Sequence, residues 1–209
     1  MKKINVVSLW CVYALLLCLV SCTARKVETG DFHVIPLPQE IVEGDTAAPF
    51  ILRPSTAICY PVGNEKMERT ARFLASYVKE MCGLDLEVTT SSGKNQIQLV
   101  LDESISNQEG YEMQVAQDGI VLKGATEVGV FYGIQTLHKA LPITDGRALV
   151  SLPACTVKDY PRFGYRGFMV DVGRHYFPVD YLKEIIVNVM NNLVIHLKLK
   201  LGLKRFKLY

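Results

Sequence analysis

Tyr165-Arg166-Gly167-Phe168-Met169-Val170-Asp171-Val172-Gly173-Arg174-His175-Tyr176-Phe177-Pro178 is the stretch on which the fold turns. Gly167 to Val172 is a short apolar run bounded by charge, the composition of a strand covered on both faces of a parallel sheet. Pro178 and Asp180 then open a helix, since proline's fixed φ suits a first turn and its missing N–H is not needed there. Apolar positions carry that helix from Val179 to Met190, and Leu193-Val194-Ile195-His196-Leu197 reads as a second strand. Strand, helix, strand is the opening of a parallel α/β fold, and a (β/α)8 barrel fits it. A barrel needs eight such units, and this chain supplies little more than one.

Upstream, Asp159-Tyr160-Pro161-Arg162 punctuates the chain and marks a domain boundary. Residues 33–157 read as a small domain of their own. Ile35-Pro36-Leu37-Pro38 enters it extended, because each proline disfavours helix at the residue before it. Phe50-Ile51-Leu52 and Thr56-Ala57-Ile58-Cys59 are short strands by composition. The clearest helix spans Glu65 to Met81, where Met67, Thr70, Ala71, Leu74, Val78 and Met81 recur every three or four residues, and Gly83 stands ready to cap it. Strands follow at Leu86–Thr90, Ile97–Leu101, Tyr111–Val115 and Ile120–Lys123, with Asp118-Gly119 as the turn of a hairpin. A second helix runs from about Thr126 to Ala140 and buries Val130, Ile134, Leu137 and Leu141. Leu149 to Leu152 returns as an edge strand or an extended connection. The expected fold class is α/β: a small α+β N-terminal domain, then an incomplete (β/α)8 (TIM) barrel over residues 158–209, with an atypical basic tail at 198–209.

The first residues read as an export leader. Met1-Lys2-Lys3 is a positive start, and Val6 to Val20 is an apolar run shorter than a membrane span. Leu19-Val20-Ser21-Cys22 resembles the bacterial lipobox, which makes residues 1–22 a lipoprotein signal, Cys22 the lipidated residue and 23–32 a tether. The implied location is the bacterial outer membrane, on its periplasmic or outer face. Of six cysteines, Cys59, Cys82 and Cys155 then remain, an odd set at wide spacing that suits buried small side chains better than disulfides or a metal. Net charge is +2, but seven of the basic residues lie in the leader and the last twelve positions, and without them the body carries −5. That balance excludes nucleic acid as a partner.

Two stretches resemble the β-N-acetylhexosaminidases of glycoside hydrolase family 20. One is Glu109-Gly110-Tyr111-Glu112-Met113 through Gly119-Ile120, continued by Gly129-Val130-Phe131-Tyr132-Gly133-Ile134-Gln135-Thr136-Leu137, which is similar to the small domain preceding that family's barrel. The other is Asp159 to Phe163 followed by Tyr165 to Pro178, which resembles the first barrel strand and its loop. With Ile35-Pro36-Leu37-Pro38-Gln39 the likeness covers His33 to about Leu197. The resemblance implies exo-removal of terminal N-acetylglucosamine or N-acetylgalactosamine from glycans. The substrate's own 2-acetamido oxygen attacks the anomeric carbon, while an adjacent Asp-Glu pair on a later strand orients that group and protonates the leaving oxygen. No cofactor or metal is implied. Arg166 takes the place of an arginine that binds the sugar's 3- and 4-hydroxyls, a task that suits a planar fork; the alternative is a salt-bridged arginine. Asp171, Arg174 and His175 are assigned an ion pair or a hydrogen-bonded network at the barrel rim rather than chemistry.

The sequence also departs from the family. Where members carry His-Leu-Thr-Asp-Asp, His196-Leu197 is followed by Lys198-Leu199-Lys200, so Leu199 and Lys200 stand in place of two aspartates. Three readings of the tail compete: translated nonsense after a frameshift or early stop, a basic segment on anionic lipid, or an ordinary strand. The expected partners are amino-sugar glycans, the membrane through Cys22, and a second polypeptide where one completes the barrel. The competing function is a non-catalytic, lipid-anchored protein that binds glycans or a partner subunit.

Overall fold

The computed structural model describes residues 26–44, 47–193, 196–201 and 204–205. The leader, Cys22 and the last four residues lie outside the described residues. In chain order the first elements are β1 (Val27–Thr29), β2 (Glu40–Glu43), β3 (Phe50–Leu52), β4 (Ala57–Cys59) and α1 (Glu65–Cys82). Next come β5 (Glu87–Thr89), β6 (Gln96–Leu101), β7 (Tyr111–Ala116), β8 (Gly119–Gly124) and α2 (Glu127–Ala140). The last are β9 (Leu149–Leu152), β10 (Cys155–Asp159), β11 (Gly167–Asp171), α3 (Val179–Leu193), β12 (His196–Leu201) and β13 (Lys204–Arg205).

Seven strands form one mixed sheet in the order β2-β10-β7-β8-β6-β4-β5, antiparallel from β2 to β8 and parallel from β8 to β5. Both helices pack on one face of it and against each other. The alternation along β8 shows why: Ile120 and Leu122 point to the helices and are fully buried, while Val121 and Lys123 are partly in water. From α1, Met67, Leu74 and Val78 meet Ile134 and Leu137 of α2 over Ile97, Leu99 and Met113, all without notable exposure. Each such side chain contributes on the order of 1.5–3 kcal/mol by leaving water.

The helix ends follow the sequence closely. Asn64 Oδ1 accepts from the Met67 N–H at 3.0 Å, and Gly83 takes φ +68° while its N–H closes on the Lys79 carbonyl. The hairpin forms between β7 and β8, with a shift from the expected turn. Gln117 and Asp118 make the loop, and Gly119 is already paired with Ala116. Its glycine serves a close approach instead: a Cβ there would lie 2.8 Å from the Gln96 carbonyl of β6.

Three further differences concern strands. The segment expected as a tether contributes β1, which pairs parallel with β9 from Val27↔Leu149 to Thr29↔Ser151, and Phe32 just beyond it is buried. β9 is the middle strand of a small sheet β1-β9-β3, with β3 antiparallel on its other side, rather than an edge. β10 lies between β2 and β7, so the small domain's sheet extends to Asp159. Beyond it, β11 and β12 pair in parallel, from Gly167↔His196 to Asp171↔Lys200, joined by α3, and β13 returns antiparallel to β12. This is one βαβ unit. The described part of the tail is strand, through Leu201 in β12 and again at Lys204–Arg205 in β13. Cys59, Cys82 and Cys155 are free thiols, with Cys82 and Cys155 buried and pushed up to about 11 by burial.

Candidate functional site

The linker from Tyr160 to Arg166 carries the chain from the small domain into β11, and its last residue decides how the two parts meet. The Arg166 guanidinium Nη2 donates to Glu109 Oε1 at 2.6 Å and to the Tyr132 hydroxyl at 3.3 Å, and Nη1 donates to the Phe163 carbonyl. Tyr132 in turn donates to the same Glu109 oxygen at 2.8 Å. Each partner is held by its own element. Glu109 sits in the loop before β7, where its N–H is fixed by Asn107 Oδ1 at 2.9 Å. Tyr132 stands on α2, whose Gly129 lets the helix lie so close that a Cβ there would collide with the Gly110 carbonyl. Charge states follow from these contacts. The Glu109 hydrogen bond pushes Arg166 up, and burial, with Glu109 second, pushes the Tyr132 phenol up to about 12. At neutral pH Arg166 is therefore a guanidinium and Tyr132 an un-ionised phenol.

Beside this cluster opens a cleft of roughly 460 Å³, lined among others by Leu37, Tyr132, Gln135, Lys139, Phe163 and Arg166. Its walls are mostly apolar. Lys139 Nζ donates to the Ile35 carbonyl at 2.9 Å, and burial lowers that amine. Asp159, also on the wall, accepts from the Gln39 N–H at 3.2 Å, and burial raises its carboxyl above the usual range. Gln135 Nε2 donates to the Tyr77 hydroxyl at 3.0 Å, while its Oε1 is buried without a partner.

The other end of β11 is different. Asp171 Oδ1 accepts from the Gly173 N–H at 2.9 Å, its Oδ2 lies 3.8 Å from Arg174 Nε, and Arg174 and His175 are exposed. The register sets Leu199 beside Val170 and Lys200 beside Asp171. The end of the parallel pair where barrel enzymes carry their chemistry therefore has an Asp171–Arg174 ion pair and a lysine position next to it. The one adjacent Asp-Glu pair in the sequence, Asp102-Glu103, follows β6 in the small domain. Asp102 is committed to Ser104 and to Lys123 at 3.1 Å, contacts that hold it down at about 2. It is a loop-fixing group. Among the described residues, no group of three His, Cys, Asp or Glu side chains is placed to hold a metal ion.

Sequence reasoning singled out Arg166, Asp171, Arg174 and His175, and the structure divides them between the two ends of one strand. It missed the partners of Arg166. Glu109 and Tyr132 fall inside the first family-like stretch, but nothing in their spacing announces a contact with a residue 57 positions away from Glu109.

Against known proteins, residues 31–160 match glycosyl hydrolase family 20, domain 2, and residues 163–202 match the catalytic domain of the same family. A β-hexosaminidase of Porphyromonas gingivalis is 32% identical over 185 residues, which is 82% of this chain and 23% of that protein. A β-N-acetylhexosaminidase of Cellulomonas fimi is 28% identical over 75% of this chain and 32% of its own length. Among solved structures, the family 20 β-N-acetylhexosaminidase of Streptomyces coelicolor superposes with a TM-score of 0.69 at 31% identity, over 80% of this chain and 34% of that one. A variant of the Streptomyces plicatus β-hexosaminidase, solved with its product GlcNAc, gives 0.70 at 30% identity, over 81% and 34%. The chain thus spans about a quarter to a third of these four relatives, and it belongs to glycosyl hydrolase family 20, of which it carries domain 2 and the opening of the catalytic domain.

Proposed function

We propose that this chain is the leading part of a β-N-acetylhexosaminidase that removes terminal N-acetylglucosamine or N-acetylgalactosamine from glycans by substrate assistance in a complete (β/α)8 barrel. The observation that carries the reading is the match of both parts, small domain and βαβ unit, to consecutive domains of one family. Within it the small domain holds the first barrel strand in place, and the acid chemistry belongs to barrel strands beyond β12. The 209-residue chain is accordingly inactive by itself. Arg166 was expected to bind sugar hydroxyls, and it enters β11 at its N-terminal end with its fork turned onto Glu109 and Tyr132. Catalytic groups of such barrels stand at the C-terminal ends of strands. In this reading Arg166 anchors β11, and Asp171 with Arg174 face the sugar end.

The test is turnover of a chromogenic N-acetyl-β-glucosaminide. The chain alone is expected to give none. The same residues fused to the remainder of the Streptomyces coelicolor catalytic domain are expected to give turnover. Activity of the chain alone, or inactivity of a folded fusion, would overturn the proposal.

The proposal extends to location: export, with lipid on Cys22 and attachment to the outer membrane. The Leu19-Val20-Ser21-Cys22 sequence supports it. Palmitate labelling in a Gram-negative host is expected for the native chain and is lost in Cys22→Ser; labelling that survives the substitution contradicts it.

A further inference from the structure

A second cleft, of roughly 550 Å³, opens at the Cys155 end of β10, opposite the end that leads into the linker and β11. It lies where the three-stranded sheet meets the seven-stranded one, and strand register places its groups. Thr29 of β1 is the partner of Ser151 in β9, and Glu43 of β2 is the partner of Cys155 in β10. Side chains of such partners share one face of their sheet, so each pair presents both members together. The chain between β1 and β2 joins the sheets and adds Asp31 and His33 to the wall.

The polar groups here are incompletely matched. Asp31 Oδ1 accepts from the His33 N–H at 2.8 Å and lies 3.0 Å from the ring Nδ1. These contacts, the backbone bond first, hold the Asp31 carboxyl below the usual carboxylate range. They also fix the ring, whose Nε2 stands 3.9 Å from Glu43 Oε1, too far for a hydrogen bond. Cys155, pushed up to about 11 by burial with Glu43 second, stays a neutral thiol. Among the described residues that line the cleft there is no lysine or arginine, so its wall is acidic. The floor supplies an independent observation. Ser151 is only 6% exposed, and its hydroxyl is paired with no described residue. A buried hydroxyl left unpaired is costly unless whatever fills the space bonds to it.

The described acidic, histidine and cysteine side chains are not grouped to coordinate a metal ion. An ammonium asks for something else: it carries three N–H donors and takes acceptors spread around it at hydrogen-bond distance. We infer that this cleft binds a primary ammonium group, which donates to Asp31, Glu43 and the Ser151 hydroxyl while its carbon frame rests on Ile41, Pro49 and Pro153. Two sources carry that chemistry. One is an amino sugar whose nitrogen is not acetylated, and the other is the ethanolamine head group of a membrane lipid. The lipid source rests on the export reading above, in which Thr29 follows the anchored Cys22 by seven residues, a span of at most about 25 Å. The cleft itself lies outside the barrel, so binding here is read independently of turnover.

The test is calorimetric titration of the full chain with two amines, a β-linked glucosamine trisaccharide and glycerophosphoethanolamine. Each has a counterpart without ammonium N–H donors: the N-acetylglucosamine trisaccharide and glycerophosphocholine. One site per chain is expected, the tighter amine naming the source, with its counterpart at least roughly tenfold weaker, the scale of hydrogen bonds to a charged group. Glu43→Gln weakens binding of that amine roughly tenfold. Ser151→Ala weakens it severalfold and leaves the melting temperature of the free chain equal or higher, because an unpaired buried hydroxyl is removed. Glu87→Gln, exposed on β5 at the other edge of the seven-stranded sheet, leaves binding unchanged. Circular dichroism of each variant separates misfolding from lost contact. The inference is overturned where neither amine binds, where a counterpart binds as tightly as its amine, or where binding is indifferent to both Glu43→Gln and Ser151→Ala. A chain that binds amine in this way and whose fusion hydrolyses nothing refutes the hydrolase reading and leaves the ammonium site intact.

Discussion

The two parts of the chain solve the same burial problem to different degrees. In the small domain, α1 and α2 cover one face of a seven-stranded sheet, and side chains such as Met67, Leu74, Ile120, Leu122 and Ile134 are wholly removed from water. In the βαβ unit, one helix joins a parallel pair, β11 pairs on one side only among the described residues, and Tyr165, Tyr176, Val179 and Tyr181 near it are exposed. Parallel strands need cover on both faces. The comparison teaches that the small domain covers its own core, while the βαβ unit is tied to it by the Arg166–Glu109–Tyr132 cluster.

The largest effect that sharpens this contrast is a cavity in the small domain. Ile134→Ala is expected to cost the small domain about 2–5 kcal/mol in chemical denaturation, because a fully packed site relaxes only partly. Val170→Ala in β11 is expected to leave that transition nearly unmoved; equal costs at both positions would mean one shared core. Next in size, within the fusion described above, Arg174→Ala is expected to lower kcat/KM by roughly two orders of magnitude, the scale of a lost transition-state contact. Arg166→Ala is expected to change it less and to lower stability instead. The reverse order would return the sugar-binding role to Arg166.

A smaller effect isolates the tie itself. A double-mutant cycle of Arg166→Ala and Glu109→Gln is expected to show a coupling of about 1 kcal/mol, modest because both side chains keep contact with solvent. A coupling indistinguishable from zero would leave the seam without its anchor. The least effect is a pH dependence. Burial raises the Asp159 carboxyl in the folded state, so protonation favours folding there. That stability is present below the usual aspartate range and is lost as pH rises through the raised value. Asp159→Asn, which keeps an acceptor for the Gln39 N–H, is expected to flatten this part of the stability profile and to leave neutral-pH stability equal to or above the native value. A profile steeper in the variant contradicts the assignment.

Much of the small domain is legible in the sequence, because its long elements announce their buried face. The spacing of Met67, Thr70, Ala71, Leu74 and Val78 predicts α1, and Gly83 ends it as expected. What escapes is pairing supplied by distant partners. Val27-Glu28-Thr29 and Glu40-Ile41-Val42-Glu43 look polar or charged, and they are strands because β9 and β10 offer them an edge. Gly119 is legible as important and misleading about why, since its neighbour Gln96 of β6 arrives from 23 residues upstream and not from the turn. The site shows the same division. Arg166 stands out by resemblance, but its contacts Glu109 and Tyr132 are brought to it only by the fold, so sequence alone left open whether its fork served a sugar or a salt bridge.

Native-state hydrogen exchange on the full chain tests the central claim most directly. The account predicts that amides of β6, β7, β8 and α2 open only with global unfolding, while those of β11 and α3 open at a much lower free energy and are slowed when the remainder of the barrel is supplied. Uniform protection from β6 through α3 in the chain alone would contradict it, because the two parts would then be one cooperative unit already complete.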